Sequence, residues 1–239
     1  MGGLVIVISV VLTVAMFWLV SYAASGGPSG LLDFLSRNQT WLPLTAFIAG
    51  ALVGFIDDLL TIGYSEWFPG RGGLPLRYRM LWAGAFAVLA SYWYYYKLGI
   101  DYVFVPFYGD VVLGPLFIIF FIFVFVSVFA TSNIDGLDGL AGGVMSSVFA
   151  AYGLIAYFQD QINIAAFCFV VVGATIAFLW SNIPPAKLYM TEVGYNALSF
   201  SLAIVAFATN KVLLLPIIAL PLVGTVATTL IQVVSKKFR

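Results

Sequence analysis

Along these 239 residues the polar positions come in short clusters, separated by apolar runs of about twenty residues, the length that spans a bilayer's hydrocarbon core. Eight runs can be marked, at about 2–24, 41–62, 80–97, 111–131, 140–158, 163–181, 194–209 and 212–234. Hydrocarbon offers no water to backbone N–H and C=O groups, so each run is predicted to be a helix. The pattern therefore predicts an all-α polytopic transmembrane helix bundle of about eight helices, forming one integral membrane domain over residues 1–239. The seventh run is short, and Pro216 and Pro221 are expected to bend the eighth. The first run, Leu4 to Ala24, lacks a positively charged lead and reads as a transmembrane helix rather than a signal peptide.

Composition removes several alternatives. With 63% of residues apolar, 8% charged and a mean hydropathy of +1.08, no soluble domain fits beside the spans. The formal net charge is zero and no basic tract exists, so nucleic acid is not a partner. Cys168 stands alone in an apolar stretch, which excludes a disulfide framework and makes it a small buried hydrophobe. Histidine is absent, so any acid–base chemistry falls to carboxylates, lysine, tyrosine or water.

Basic residues orient the bundle. Placing the 63–79 loop in the cytoplasm puts Arg71, Arg77, Arg79, Lys187, Lys236, Lys237 and Arg239 inside, and leaves Arg37, Lys97 and Lys211 outside. The same threading carries Asp57, Asp58, Asp135, Asp138 and Glu192 to cytoplasmic helix ends, where they are expected to converge on one cleft. Carboxylates at a bilayer are costly and rare, and usually functional. Clustered hard oxygens suit Mg²⁺, which is commonly held by one or two carboxylates together with substrate phosphates. Asp57 and Asp58 project about 100° apart on a helix, so one can bind an ion or nucleophile while its neighbour orients another group. Asp135 and Asp138 share a helical face if helical, whereas Gly136 and Gly139 suggest a helix break; capping of the fifth helix is the plainer role for this pair. Arg71, Gly72, Gly73, Arg77 and Arg79 place cations beside the acids, as a diphosphate would require.

Three stretches carry a family resemblance: Gly54-Phe55-Ile56-Asp57-Asp58, the run from Asp135 to Gly143, and Pro185-Ala186-Lys187-Leu188-Tyr189-Met190. In this order they resemble the polyprenyl-phosphate N-acetylhexosamine-1-phosphate transferases, and the Pro-Ala-Lys run is similar to that of the phospho-N-acetylmuramoyl-pentapeptide transferases. The resemblance implies a ten-helix, Mg²⁺-dependent enzyme of the bacterial inner membrane with a cytoplasmic active site. Its implied reaction moves phospho-MurNAc-pentapeptide from UDP-MurNAc-pentapeptide to undecaprenyl phosphate, giving lipid I and UMP for peptidoglycan synthesis. Carried over by position, Asp57 and Asp58 are the paired aspartates that act on the lipid phosphate or its surroundings, and Asp135 joins them as a catalytic candidate. Asn133, Asp138, Asn182, Lys187 and Tyr189 fall on the nucleotide side, with the Tyr189 ring placed to stack on uracil. Arg79 keeps a basic position of the family, and Glu192 takes the place of the aspartate that holds Mg²⁺.

The chain departs from the family pattern at several points. Thr191-Glu192-Val193-Gly194-Tyr195 stands where Gly-Asp-x-Gly-Ser is usual, Thr61 replaces a lysine, and Asn133 lies one position closer to its motif. The stretch after Met1 resembles an internal part of the family, and Gln232 to Arg239 resembles the lead-in to a histidine-rich motif. These features imply a shortened member with eight of ten helices and low turnover. A GlcNAc-1-phosphate transferase, an inactive remnant and an ion-coupled transporter are the alternatives. Transporters, however, place such acids near the midplane at broken helices. Whether two copies pair as a homodimer is left open by the sequence.

Overall fold

The structure, a computed structural model, describes residues 2–25, 38–62, 73–130, 138–224 and 228. Among them the chain forms α1 (Gly2–Ser25), α2 (Asn38–Ile62), α3 (Leu76–Tyr92), α4 (Leu116–Ala130), α5 (Leu140–Phe158), α6 (Ile162–Asn182), α7 (Thr191–Ala208) and α8 (Leu215–Ile218). Five of these (α1, α2, α5, α6 and α7) are long and apolar enough to cross a membrane, and α4 is a shorter apolar helix. The architecture is an all-α membrane helix bundle.

Three boundaries differ from those expected. The run at 80–97 closes as five residues of π-helix, Trp93–Lys97, rather than as uniform α-helix. The run at 111–131 begins inside an antiparallel hairpin of β1 (Tyr102–Val105) and β2 (Gly109–Val112), with Tyr102 paired to Val112 and Val105 to Gly109. Positive φ at Phe107 and Gly109 closes the turn, so Val111 and Val112 belong to a strand and α4 starts only at Leu116. The expected eighth helix is interrupted within its described part. A 3₁₀ turn at Val212–Leu214 leads into α8, and Ala219 breaks the helix before residues 220–224.

The charged residues separate to the two ends of the bundle. At one end the Gly2 N–H donates to the Tyr189 carbonyl at 2.8 Å, and this end also carries the termini of α2 and α6 and the starts of α3, α5 and α7. At the other end Asn210 ties the turn after α7 to the hairpin: its Nδ2 donates to Asp110 Oδ1, and its Oδ1 accepts the Phe104 N–H, each at 3.3 Å.

α7 is the axis of the packing, buried without interruption from Val193 to Phe207. Its far half meets α4 through rings, including Phe207 stacked on Phe121 at 4.2 Å between centroids and Phe200 edge-on to Phe125 at 4.9 Å. Its near half meets α2 backbone to backbone. A Cβ on Gly54 would overlap the Glu192 carbonyl, and one on Gly50 would overlap the Asn196 carbonyl. Gly50 and Gly54 lie one turn apart on a single face, the small-xxx-small arrangement that lets helices approach closely in lipid. Gly3 of α1 presses in the same way on Met190 and Gly194.

This contact makes a direct prediction. Gly54→Leu must push α2 off α7 and is expected to lower stability in detergent by at least about 2 kcal/mol, the range of core overpacking. Gly84→Leu, on a part of α3 with open space around the glycine, is expected to change it little. Thermal denaturation of the two variants compares them.

Candidate active site

Asp57 and Asp58 lie in the last two turns of α2, both buried. Asp57 is fully enclosed because the segment after Gly73 folds over it. Its Oδ1 accepts the Leu74 N–H, and its Oδ2 lies 2.6 Å from Arg79 Nη2. Gly73 has φ +86°, and a Cβ there would sit 2.6 Å from Asp57 Oδ1 and 2.8 Å from Thr61 Oγ1, so only glycine lets the loop close down. Thr61 turns its hydroxyl back to the Asp57 carbonyl at 2.9 Å.

Arg79 stands on the first turns of α3 and joins three elements. Nε donates to the Leu74 carbonyl at 3.1 Å, Nη2 meets Asp57, and Nη1 donates to Glu192 Oε1 at 2.6 Å. A planar guanidinium can bridge two carboxylates in this way, and a lysine ammonium cannot do so with the same geometry. The pair with Asp57 matters most: that carboxylate side chain is 1% exposed, against 29% for Glu192, and a buried charge without its partner is strongly destabilising.

Glu192 lies in the first turn of α7, inside the helix rather than ahead of it, and its N–H donates to Asp58 Oδ1 at 3.3 Å. Thr191 directly before it holds φ +54°, a left-handed conformation that is uncommon for a β-branched residue. Several buried atoms on these residues have no hydrogen-bond partner: Asp58 Oδ2, Glu192 Oε2 and Thr191 Oγ1. Asn196 Oδ1 and Nδ2 and Ser199 Oγ are also unpartnered, and they continue the same helical face at four and seven residues from Glu192. Asn196 and Ser199 were not singled out in the sequence. Their only signal there is polarity within an apolar run.

The free carboxylate oxygens fit a divalent cation. Among the described residues no group of three or more Asp, Glu or Cys side chains is gathered as a complete metal centre. Asp58 Oδ2 and Glu192 Oε2 nevertheless supply two hard, unpartnered oxygens on residues joined by the Glu192 N–H bond to Asp58. That donor set suits Mg²⁺, which keeps waters and takes further ligands from substrate phosphates.

A second set of residues braces the loop between α6 and α7. Asn182, buried at the end of α6, accepts the Gly139 N–H at 2.9 Å and donates to the Leu188 carbonyl at 2.8 Å. Asp138 accepts the Ala186 N–H at 3.3 Å, while Gly139, with φ +80°, is the N-cap residue of α5 and no side chain caps that helix. Capping of α5, the plainer alternative for Asp138, is not seen, and the side chain ties the 183–190 loop instead. Lys187 and Tyr189 are exposed on this loop, Tyr189 at 56%, so both are free to meet a ligand. Asp57, Asp58, Arg79 and Glu192 thus form one group, and Asp138, Asn182, Lys187 and Tyr189 a second at the same end of the bundle. Asn133 and Asp135 lie outside the described residues.

The glycosyl transferase family 4 model matches residues 40–210. The chain is 34% identical to the phospho-N-acetylmuramoyl-pentapeptide-transferase of Chloroflexus aurantiacus, over 97% of this chain and 61% of that protein. It is 35% identical to the Chloroflexus aggregans enzyme of the same name over the same shares, and 33% identical to that of Listeria welshimeri over 81% of this chain and 59% of that one. The chain therefore spans about three fifths of the length of these relatives.

The strained residue ahead of Glu192 can be tested. Thr191→Gly places the residue that tolerates positive φ where φ is +54° and removes an unpartnered hydroxyl. A left-handed residue with a Cβ costs roughly 1–2 kcal/mol, and glycine returns about 0.5–1 kcal/mol of that as chain entropy. The expected outcome is unchanged or slightly higher stability, up to about 1 kcal/mol, measured by thermal melts. A clear loss would show that the threonine side chain supports α7.

Proposed function

Since the chain belongs to glycosyl transferase family 4, we propose that it is a membrane phospho-sugar transferase acting where lipid meets water. The reaction proposed is transfer of phospho-MurNAc-pentapeptide from UDP-MurNAc-pentapeptide to undecaprenyl phosphate, with lipid I and UMP as products. The names of the relatives support these substrates, and so does one observation above the rest. Arg79 and the unpartnered oxygens of Asp58 and Glu192 lie together at the end of membrane-spanning helices, cation and free acid side by side. That end is proposed to be cytoplasmic in a bacterial plasma membrane, as the basic residues suggest.

In this reading an oxygen of the lipid phosphate attacks the sugar-proximal phosphorus of the diphosphate. The bond from that phosphorus to the bridging oxygen breaks, and UMP leaves with the electron pair. Little covalent chemistry is asked of the protein in such transfers, where position and charge stabilisation dominate. Asp58 and Glu192 would hold Mg²⁺. Bound there, it would neutralise charge on the phosphates and polarise the breaking bond. Asp57 does not reach out to substrate; it fixes the Arg79 guanidinium, whose positive charge faces the diphosphate. Tyr189 offers an exposed ring to uracil and Lys187 an exposed cation, on a loop that Asp138 and Asn182 brace. Asn133 and Asp135 are carried over from the family pattern as further groups of the same site.

The test is UMP release in detergent with Mg²⁺. Release is expected to depend on added undecaprenyl phosphate and to fall at least about 100-fold in Asp58→Asn, as for loss of one electrostatic group. Faster release from UDP-GlcNAc would point to the GlcNAc-1-phosphate reaction instead. Release indifferent to the lipid phosphate would overturn the transfer altogether.

A further inference from the structure

The cluster already contains a cation. Arg79 reaches both Asp57 and Glu192 at 2.6 Å, while the second oxygen of Glu192 and the second oxygen of Asp58 are buried and unpartnered. A divalent ion drawn to those two oxygens would come to rest a few ångströms from a guanidinium bonded to the same Glu192 carboxylate. The two cations therefore compete for Glu192.

We infer that Arg79 is a built-in counter-cation that occupies Glu192 until a divalent ion displaces it, releasing Nη1 of the guanidinium toward the anionic substrate. This rests on the proposed metal role of Asp58 and Glu192. The three bonds of Arg79 are not equivalent. Nε is held at 3.1 Å by the carbonyl of Leu74, in the loop closed over α2, and Nη2 by Asp57 of α2 beneath that loop. Nη1 alone is held from α7, by a carboxylate that is partly open to solvent. Displacement at Glu192 thus frees one edge of the guanidinium and leaves its other two anchors in place. The side chain stays over the site and turns a donor pair toward the incoming phosphate, the geometry for which arginine is suited. Arg79 is in this sense a positioning residue for metal entry and a hydrogen-bond donor to phosphate afterwards.

Glutamate at 192 favours such an exchange. Its two methylenes carry the carboxylate from the α7 backbone to Arg79 on α3. Arg79 offsets part of the negative charge of the free cluster, and an ion at Glu192 draws that carboxylate away from an existing pair.

The experiment is Mn²⁺ titration of the full chain in detergent without substrate, followed by electron paramagnetic resonance. Arg79→Gln is expected to bind Mn²⁺ at least about tenfold more tightly than the unaltered chain, the order of a +1/+2 repulsion a few ångströms apart even at the dielectric constant of water. Glu192→Gln, alone or added to Arg79→Gln, is expected to remove the tight binding. Equal or weaker binding in a folded Arg79→Gln protein, with the Glu192 dependence intact, would overturn the exchange and leave the metal reading standing. Weak binding in all variants, insensitive to Glu192, would overturn both. Should Arg79→Gln fold poorly, Arg79→Lys keeps the charge but cannot bridge both acids, and Mn²⁺ is expected to bind it several-fold more tightly and to raise its melting temperature more than that of the unaltered chain. Absence of either change would reject the proposal.

Discussion

The bond between Arg79 and the enclosed Asp57 carboxylate is the constraint on which the rest of this site depends. A charge buried at the edge of a bilayer persists only with a partner of opposite sign and with its lone pairs satisfied. Here the partner comes from α3 and the second hydrogen bond from the Leu74 backbone, so burying one aspartate draws a loop and a helix onto the end of α2. Glu192 then arrives at the same guanidinium from α7. The consecutive helices α2 and α3 and the distant α7 are registered at one end of the bundle by a single side chain.

That registration also requires close backbones. Glu192 can reach Arg79, and its N–H can reach Asp58, because Gly54 and Gly50 let α7 lie directly against α2. In lipid, where apolar side chains gain little by leaving one apolar medium for another, such close approach and the polar bonds it permits supply much of the association. Packing and chemistry are thus produced by the same short stretch of α2: glycines on one face, carboxylates at its end.

Much of this was legible in the sequence, and the exceptions have identifiable causes. Run length located the spans, because a bilayer sets that length. It failed at 111–115, where Val111 to Leu113 continue the apolarity of α4 although Asp110 and a glycine turn place the first two in a strand. Charge counting carried Asp57, Asp58 and Glu192 to one end but could not show that Asp57 faces a backbone N–H seventeen residues away. Asn182 and Asp138 stood out as polar motif residues. That their side chains brace the 183–190 loop depends on carbonyl and N–H positions that no spacing rule reveals. Asn196 and Ser199 were hidden for the opposite reason: isolated polar residues within a hydrophobic run have no periodic signature.

The central place of α7 bears on how the protein enters its membrane. Of the five candidate spans α7 is the least apolar, and it is also the one most enclosed by the others. It carries Glu192 in its first turn and Asn196 and Ser199 within its apolar run, residues that lower the readiness of a helix to partition from the translocation channel into lipid. Alone it would be the poorest candidate for insertion, whereas α1, the most apolar span, would be the best. Chain order resolves this, since α1 and α2, whose glycines receive α7, are synthesised well before it emerges. The seventh helix then partitions into a protein groove rather than into bare lipid, and the glycines of α1 and α2 serve biogenesis as well as packing.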